Sequence, residues 1–476
     1  MALGLAVVLC LASGYLISAI GTPHNSLKVS NLLLRISLSP GYGLGLFSLI
    51  FFGARVISLS NVLLPDFFIF ALLLAGYILI RPRTPVCEPQ PSEKSSRPVW
   101  LSRLVTAAFV IALCAALYAS ILRTLIHPHG EGWDAFSIWN LHARFLFRGG
   151  SAWRDGFSPL IPWSHPDYPL LIPAAIAHFW TTLGRESQVV PALIGLVFTF
   201  STVGVLFSSL AILRGRFAAM LGTLTLSATP FFIETGTSQY ADVPLSFFYL
   251  AAISLLCLND HERRQTSSSN PKGPLALAGL AAGLAAWTKN EGALFLCALL
   301  AGWILTSVGR SRSQSSTAED ISPPRTRGNS FLFLLAGMVP VILVVVWFKH
   351  SIAPSGDLFL DKWMALHKLM DPNRYRIILE WYGKDFLRFG NWSLIPGTIA
   401  VAVLYFLSGK NEKIECKRGF RIAVITLALT LAGYFAIYVI TPYDLYWHLR
   451  FSLNRLFLQL WPSVIFLFFL KVFHSP

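Results

Sequence analysis

TSQYADVPLSFFYLAAISLL, residues 237–256, places a carboxylate, Asp242, directly before an apolar run long enough for lipid. A charge at the lip of a membrane helix needs compensation, because ionisable groups in a bilayer are costly and tend to mark function. Pro244 sets the local geometry: proline suits the first turn of a helix, where its missing N–H would have no intrahelical partner. The stretch therefore opens a helix, with Asp242 expected near the N-cap beside the positive end of the dipole, held at fixed depth and facing outer solvent.

The remaining sequence supports a membrane setting. Of 476 residues 54% are hydrophobic and 13% charged, against about 25% charged residues in a soluble domain. A hydrocarbon core about 30 Å thick takes roughly 20 apolar residues per helix, and helices satisfy their own backbone groups. Thirteen spans follow, over 1–20, 41–59, 62–80, 100–126, 189–213, 217–233, 243–258, 274–288, 291–308, 331–349, 394–407, 422–440 and 453–473. The expected fold class is an all-α polytopic membrane protein with about 13 transmembrane helices plus juxtamembrane or re-entrant helices. The first span has no basic flank of the kind a secretory signal carries, so it reads as a mature helix. Residues 168–183 are apolar but short and interrupted by Pro169 and Pro173.

Basic loops stay cytoplasmic. The loops 21–40, 81–103, 214–216, 259–273, 309–330 and 410–421, with Lys471, hold 22 of the 38 Lys and Arg but 8 of the 23 acidic residues. The net charge of +15 thus reads as topology, and no basic soluble face suggests nucleic acid as a partner. These loops share one side only if 168–183 does not cross, which makes that stretch re-entrant or juxtamembrane. The Pro- and Ser-rich linker at 81–99 separates three leading helices, 1–80, from a module at 100–476 with outer loops 127–169 and 351–393. The six cysteines fall in spans or cytoplasmic loops, so neither disulfides nor a zinc site are expected.

The outer loops hold amphipathic stretches. In WDAFSIWNLHARFLFR, Phe136, Trp139, Ala143, Leu146 and Phe147 share one helical face while Ser137, Asn140, Arg144 and Arg148 share another, as in an interfacial helix. RIILEWYGKDFLRF repeats the pattern, with Leu379, Tyr382, Phe386 and Phe389 on one stripe. Ionisable residues gather at the same side: Asp134 in GWDAFSIWN, Asp167 in SHPDYPLL, Asp242, Lys289 and Glu291 in WTKNEG, and Asp444, His448, Arg450 and Arg455 in TPYDLYWHLRFSLNR. Any one of these also fits a residue that merely marks a helix end.

The order of these motifs resembles the GT-C superfamily of membrane glycosyltransferases, in the branch of protein O-mannosyltransferases and the lipid A aminoarabinose transferase. Asp134 matches the family's acidic residue in the first large outer loop. HPDYPLL matches its His-Pro-Pro-Leu stretch, with inserted residues. ADVPLSFF matches its Asp-Ala/Ser-Pro-Leu helix start, WTKNEG its Thr-Lys-Gly helix end, and NRLFLQLWP its late Arg-aromatic-Leu pattern. The resemblance covers about 100–470, and the three leading helices have no counterpart.

The resemblance implies an inverting transfer of a sugar from a polyprenyl-phosphate donor to a lipid, glycan or protein acceptor. It also implies a bacterial inner (plasma) membrane, with the site facing the periplasm or exterior. Asp134 is then the base that takes the acceptor proton, with Asp242 and Asp167 orienting it or holding Lys289. Lys289, Arg455, His448 and Arg450 would meet the leaving phosphate. Glu291, Asp444, Tyr240 and Trp139 would contact substrate. The oligosaccharyltransferase branch uses a divalent ion held by an Asp-x-Asp motif; the outer loops contain no such triplet, so no metal ligands are assigned, and a divalent metal stays open as the one cofactor the resemblance allows; DHE at 260–262 falls in a cytoplasmic loop. Two other readings stay open: a secondary transporter, whose ionisable groups would sit at the midplane on broken helices, and a lipid-linked glycan polymerase or ligase. Epitopes inserted in 309–330 should be reached only from the cytosol and epitopes in 127–169 only from outside, as surface labelling would read; the reverse pattern inverts the topology.

Overall fold

The computed structural model describes residues 2–22, 29–59, 61–80, 99–265, 272–313, 327–356, 362–392 and 416–472. Helices dominate and no strand occurs among these residues. In chain order they are α1 (Ala2–Gly21), α2 (Val29–Val56), α3 (Leu63–Ile80), α4 (Val99–Ile126), α5 (Asn140–Arg148), α6 (Leu171–Leu183), α7 (Val189–Arg214), α8 (Arg216–Ser227) and α9 (Pro230–Thr237). They continue with α10 (Asp242–Gln265), α11 (Gly273–Thr288), α12 (Asn290–Ser313), α13 (Arg327–Ser351), α14 (Lys362–Leu369), α15 (Pro372–Arg388), α16 (Lys417–Ile440) and α17 (Leu445–Val472).

Ten of these helices are long and apolar enough to cross a membrane, and α8 with α9 forms an eleventh path bent by 65°. The expected span at 274–288 is the 16-residue α11, and the one at 394–407 lies outside the described residues. At about 1.5 Å per residue, the 13 residues of α6 reach about 20 Å, short of the roughly 30 Å core.

Two boundaries move. The helix expected to start at residue 41 begins at Val29 and runs through Pro40, so most of the expected loop 21–40 is helical. Pro40 removes one backbone bond, but packing against α1 holds the turn. A Cβ on Gly14 would lie 1.9 Å from the Ser39 carbonyl oxygen, and one on Gly43 would lie 2.3 Å from that of Cys10. Such backbone-to-backbone contact between small residues is how helices associate in lipid. The last span likewise begins at Leu445 rather than residue 453.

The helix opened by Asp242 is the axis of the fold. Its spanning part is buried throughout, enclosed by α7, α11, α16 and α17. The leading helices join this body, with α2 against α6 and α7 and α1 against α11. Tyr42 donates to the Leu277 carbonyl at 2.9 Å and Trp287 to the Ser48 hydroxyl at 3.0 Å, tying α2 to α11. The outer layer inverts the soluble rule. On α3, Leu64, Phe67, Phe68, Leu72 and Ile78 are exposed as lipid-facing groups, while Asp66 is its one buried residue, 2.7 Å from His178 of α6 with both side chains fully enclosed. A membrane solvent turns apolar groups out and ionisable ones in.

Each amphipathic stretch departs in part from the expected wheel, although Trp139, Ala143 and Leu146 are buried as expected. Residues Ala135–Trp139 form a π-helical turn before α5, so Phe136 points out at 57% exposure and Asn140 in at 5%. A wheel at 100° per residue loses phase across the wider π turn. On α15, Leu379 and Phe386 are exposed, whereas Ile378 and Phe389 are buried. That helix packs one edge on α16 and α17 and leaves a second apolar edge uncovered.

The crossing of α11 and α13 rests on missing side chains: a Cβ on Gly337 would sit 1.9 Å from the Ala276 carbonyl oxygen, and one on Gly279 2.0 Å from that of Leu334. Gly337→Val should destabilise the protein by at least the about 1–3 kcal/mol typical of overpacking, read as thermal unfolding of purified protein in detergent. Gly76→Ala, with open space at its Cβ, should be neutral or stabilising by up to about 1 kcal/mol.

Candidate active site

Five chain segments meet at the start of α10. Pro244 falls within its first turn, as the sequence requires, but the Asp242 carboxylate neither caps the helix nor faces solvent. The side chain is fully buried and reaches across to other helices. Its Oδ1 accepts from Lys289 Nζ at 3.1 Å and Gln459 Nε2 at 2.6 Å. Its Oδ2 accepts from Arg455 Nε at 2.9 Å and Nη2 at 2.7 Å. Lys289 sits in the break between α11 and α12. Arg455 and Gln459 are one turn apart on α17, hence on one face.

Arg455 also reaches Asp134 Oδ2 through Nη1 at 2.7 Å. One guanidinium therefore bridges two carboxylates that differ in access: the Asp134 side chain is 23% exposed and that of Asp242 0%. Lys289 makes a second contact, 2.7 Å to Glu291 Oε1. Burial, then the Asp134 charge, push the Tyr240 phenol up to about 12, so it stays protonated beneath Arg455, whose Cζ lies 4.6 Å from the ring centre. Gly132 makes room for that ring; it holds φ +82°, and a Cβ there would meet the Tyr240 hydroxyl at 2.3 Å. Only glycine adopts such a backbone without strain.

Asp167 belongs to an adjoining cluster. Its Oδ2 accepts from Asn290 at 2.7 Å and lies 3.4 Å from Lys349 Nζ at the end of α13, while Lys349 also bonds Asn290 Oδ1 at 2.8 Å. Tyr168 lies between the clusters, 6.0 Å from Lys289 Nζ and stacked on Trp139. Burial, reinforced by Glu291 and Asp167, raises its phenol.

The other expected residues take different places. Trp139 is fully buried, so its ring offers no open face. Asp444 caps α17, accepting from the Trp447 backbone at 2.8 Å. His448 bonds Thr441 at 2.8 Å, two turns before Arg455, and Arg450 lies exposed against Phe451. Sequence reasoning passed over Gln459, Asn290, Lys349, Tyr168 and the Asp66–His178 pair. Gln459 had a signal, a polar residue one turn after Arg455 in an apolar helix. A buried chain supports it: Gln459 Oε1 accepts from Tyr434 at 2.6 Å, and Tyr434 lies 3.3 Å from Tyr249, which donates to the Glu291 carbonyl at 2.7 Å.

No group of three metal-ligating side chains converges among the described residues, and the lone pairs of Asp242 face Lys289, Arg455 and Gln459.

A family model described as dolichyl-phosphate-mannose-protein mannosyltransferase matches residues 164–319. That stretch holds Asp167, Tyr168, Asp242, Lys289 and Glu291, while Asp134 and Arg455 lie outside it. The match supports glycosyltransferase activity of the GT-C type in an integral membrane protein. No curated protein and no solved structure matches the chain. Asp242→Asn should lower stability by about 3–5 kcal/mol, because Lys289 and Arg455 are left over-charged in a buried site. The double variant with Lys289→Met should recover part of that loss, measured as thermal unfolding in detergent.

Proposed function

We propose that the protein is an inverting glycosyltransferase that moves a sugar from a polyprenyl-phosphate donor to an acceptor hydroxyl at the outer face of a cell membrane. The observation that carries this reading is the guanidinium of Arg455 shared by a sealed and an open carboxylate, beside Lys289. Asp242 has no free lone pair facing solvent and is the anchor of the cations. Asp134 has access to water and is the general base.

In this mechanism Asp134 takes the proton of the acceptor hydroxyl as its oxygen attacks the anomeric carbon. The bond from that carbon to the phosphate oxygen breaks, its electron pair stays on the polyprenyl phosphate, and configuration inverts. Lys289 and Arg455 meet the departing charge, and Lys349, a third of whose side chain is exposed, joins them as a cation within reach of solvent. The protonated phenols of Tyr168 and Tyr240 donate hydrogen bonds without adding charge. Asp167, with Asn290, positions Lys349. A carrier with an apolar tail suits this layout, since the cluster lies where membrane helices begin and end.

In proteoliposomes loaded with labelled polyprenyl-phosphate sugar, the wild-type protein should release free polyprenyl phosphate as sugar is transferred, whereas a transporter moves solute and releases none. Asp134→Asn should slow release by about 10²- to 10⁴-fold, the usual contribution of a positioned base, with assembly unchanged. Release at the wild-type rate from that variant would remove Asp134 from the chemistry.

A further inference from the structure

A buried polar file runs from Asp242 to α16 and takes no part in the mechanism above. Gln459 Nε2 donates to Asp242 Oδ1 at 2.6 Å, and Gln459 Oε1 lies 2.6 Å from the Tyr434 hydroxyl. Both Gln459 and Tyr434 are fully enclosed. Buried polar groups cost free energy unless each finds a partner, so what the two ends of the file can accept or donate fixes the order of protons along it. An ionised carboxylate only accepts. The Gln459 amide therefore turns its NH2 to Asp242 and its oxygen to Tyr434, and Tyr434 must donate. Tyr249 spends its single O–H on the Glu291 carbonyl at 2.7 Å. With both phenolic protons committed, the 3.3 Å approach of the Tyr249 and Tyr434 oxygens has no proton to share.

The donors around Asp242 can be counted. Its carboxylate offers about four lone-pair sites: Arg455 fills two through Nε and Nη2, Lys289 fills one and Gln459 the last. A lysine ammonium has three N–H groups and an arginine guanidinium five. Lys289 gives one to Asp242 and one to Glu291. Arg455 gives two to Asp242 and one to Asp134. One N–H of Lys289 and two of Arg455 thus stay uncommitted among the described residues, on side chains that keep 7% and 19% exposure. Without Gln459, Asp242 would hold an open acceptor site beside the Lys289 ammonium, 3.1 Å away. That ammonium rides on a flexible stem with rotatable donors, and its spare N–H would turn inward to fill the gap.

We infer that Gln459, with its amide oriented by Tyr434, is a positioning residue for the phosphate of the carrier: by saturating Asp242 it keeps donors of Lys289 and Arg455 free for phosphate oxygens. The pair touches no substrate and acts only through those two cations. The hydroxyl of Tyr434 matters because it holds the amide in the one orientation that donates to the carboxylate. That the phosphate belongs to a departing polyprenyl carrier rests on the transferase reading; the count of donors does not.

The test uses full-length protein in lipid nanodiscs and compares farnesyl phosphate with farnesol, which share a tail and differ in the anionic head. Wild-type protein should bind the phosphate more tightly. Gln459→Met, which keeps the side-chain length and loses the donor, should weaken farnesyl phosphate by about tenfold, the scale of one hydrogen bond to a charged group, and leave farnesol unchanged. Tyr434→Phe, which removes one oxygen, should act in the same direction by about fivefold and decides alone if Gln459→Met does not fold. In release of polyprenyl phosphate, both variants should lose kcat by similar factors at unchanged acceptor KM. Equal weakening of farnesol and farnesyl phosphate would mean a merely structural role and overturn the proposal. A wild-type protein that turns over while both variants keep its preference for the phosphate would sink this inference alone. Phosphate binding that depends on Gln459, with no release from the sugar donor, would instead sink the transferase reading and leave the positioning role standing.

Discussion

A carboxylate cut off from water cannot be left uncompensated, and the placement of Asp242 imposes that condition on the whole chain. Moving one such ion into a low-dielectric interior carries a penalty of several kcal/mol even after relaxation. Compensation comes from Lys289, 47 residues on, and Arg455, 213 residues on. The starts of α10 and α12 and a turn of α17 are thereby fixed together, and α10 becomes the axis that the other helices enclose. The fold and the site are consequences of one electrostatic requirement.

The same requirement divides labour among the acids. Asp242 is saturated by three partners and cannot exchange protons readily with an incoming group. Asp134 shares only the third nitrogen of Arg455 and keeps an open side, so two aspartates bound to one guanidinium differ in availability. Glu291 and Asp167 each hold a lysine. Neighbouring phenols line the clusters without altering their charge, because burial keeps Tyr168 and Tyr240 protonated.

The helices were legible because lipid thickness sets a length that an apolar run either meets or misses. The meeting of Asp134, Asp242, Lys289, Glu291 and Arg455 was legible only as a shared side of the membrane, since no local pattern relates residues hundreds of positions apart. Two kinds of detail were not legible. Helix phase around Phe136 depends on a π-helical turn that periodicity at 3.6 residues cannot contain, and Pro40 continues a helix only because α1 lies close enough to support it. Arg450 and Asp444 drew notice for their charge, yet one lies exposed against Phe451 on α17 and the other caps that helix. Gln459, uncharged, was overlooked although it touches the central carboxylate.

The Asp66–His178 pair bears on how the chain divides. His178 stands on the short helix that follows the loop carrying Asp167, and its acidic partner comes from the amino-terminal trio of helices. Removing that trio would strand an imidazole inside the body of the protein, so the trio cannot be a detachable appendix joined by a tether.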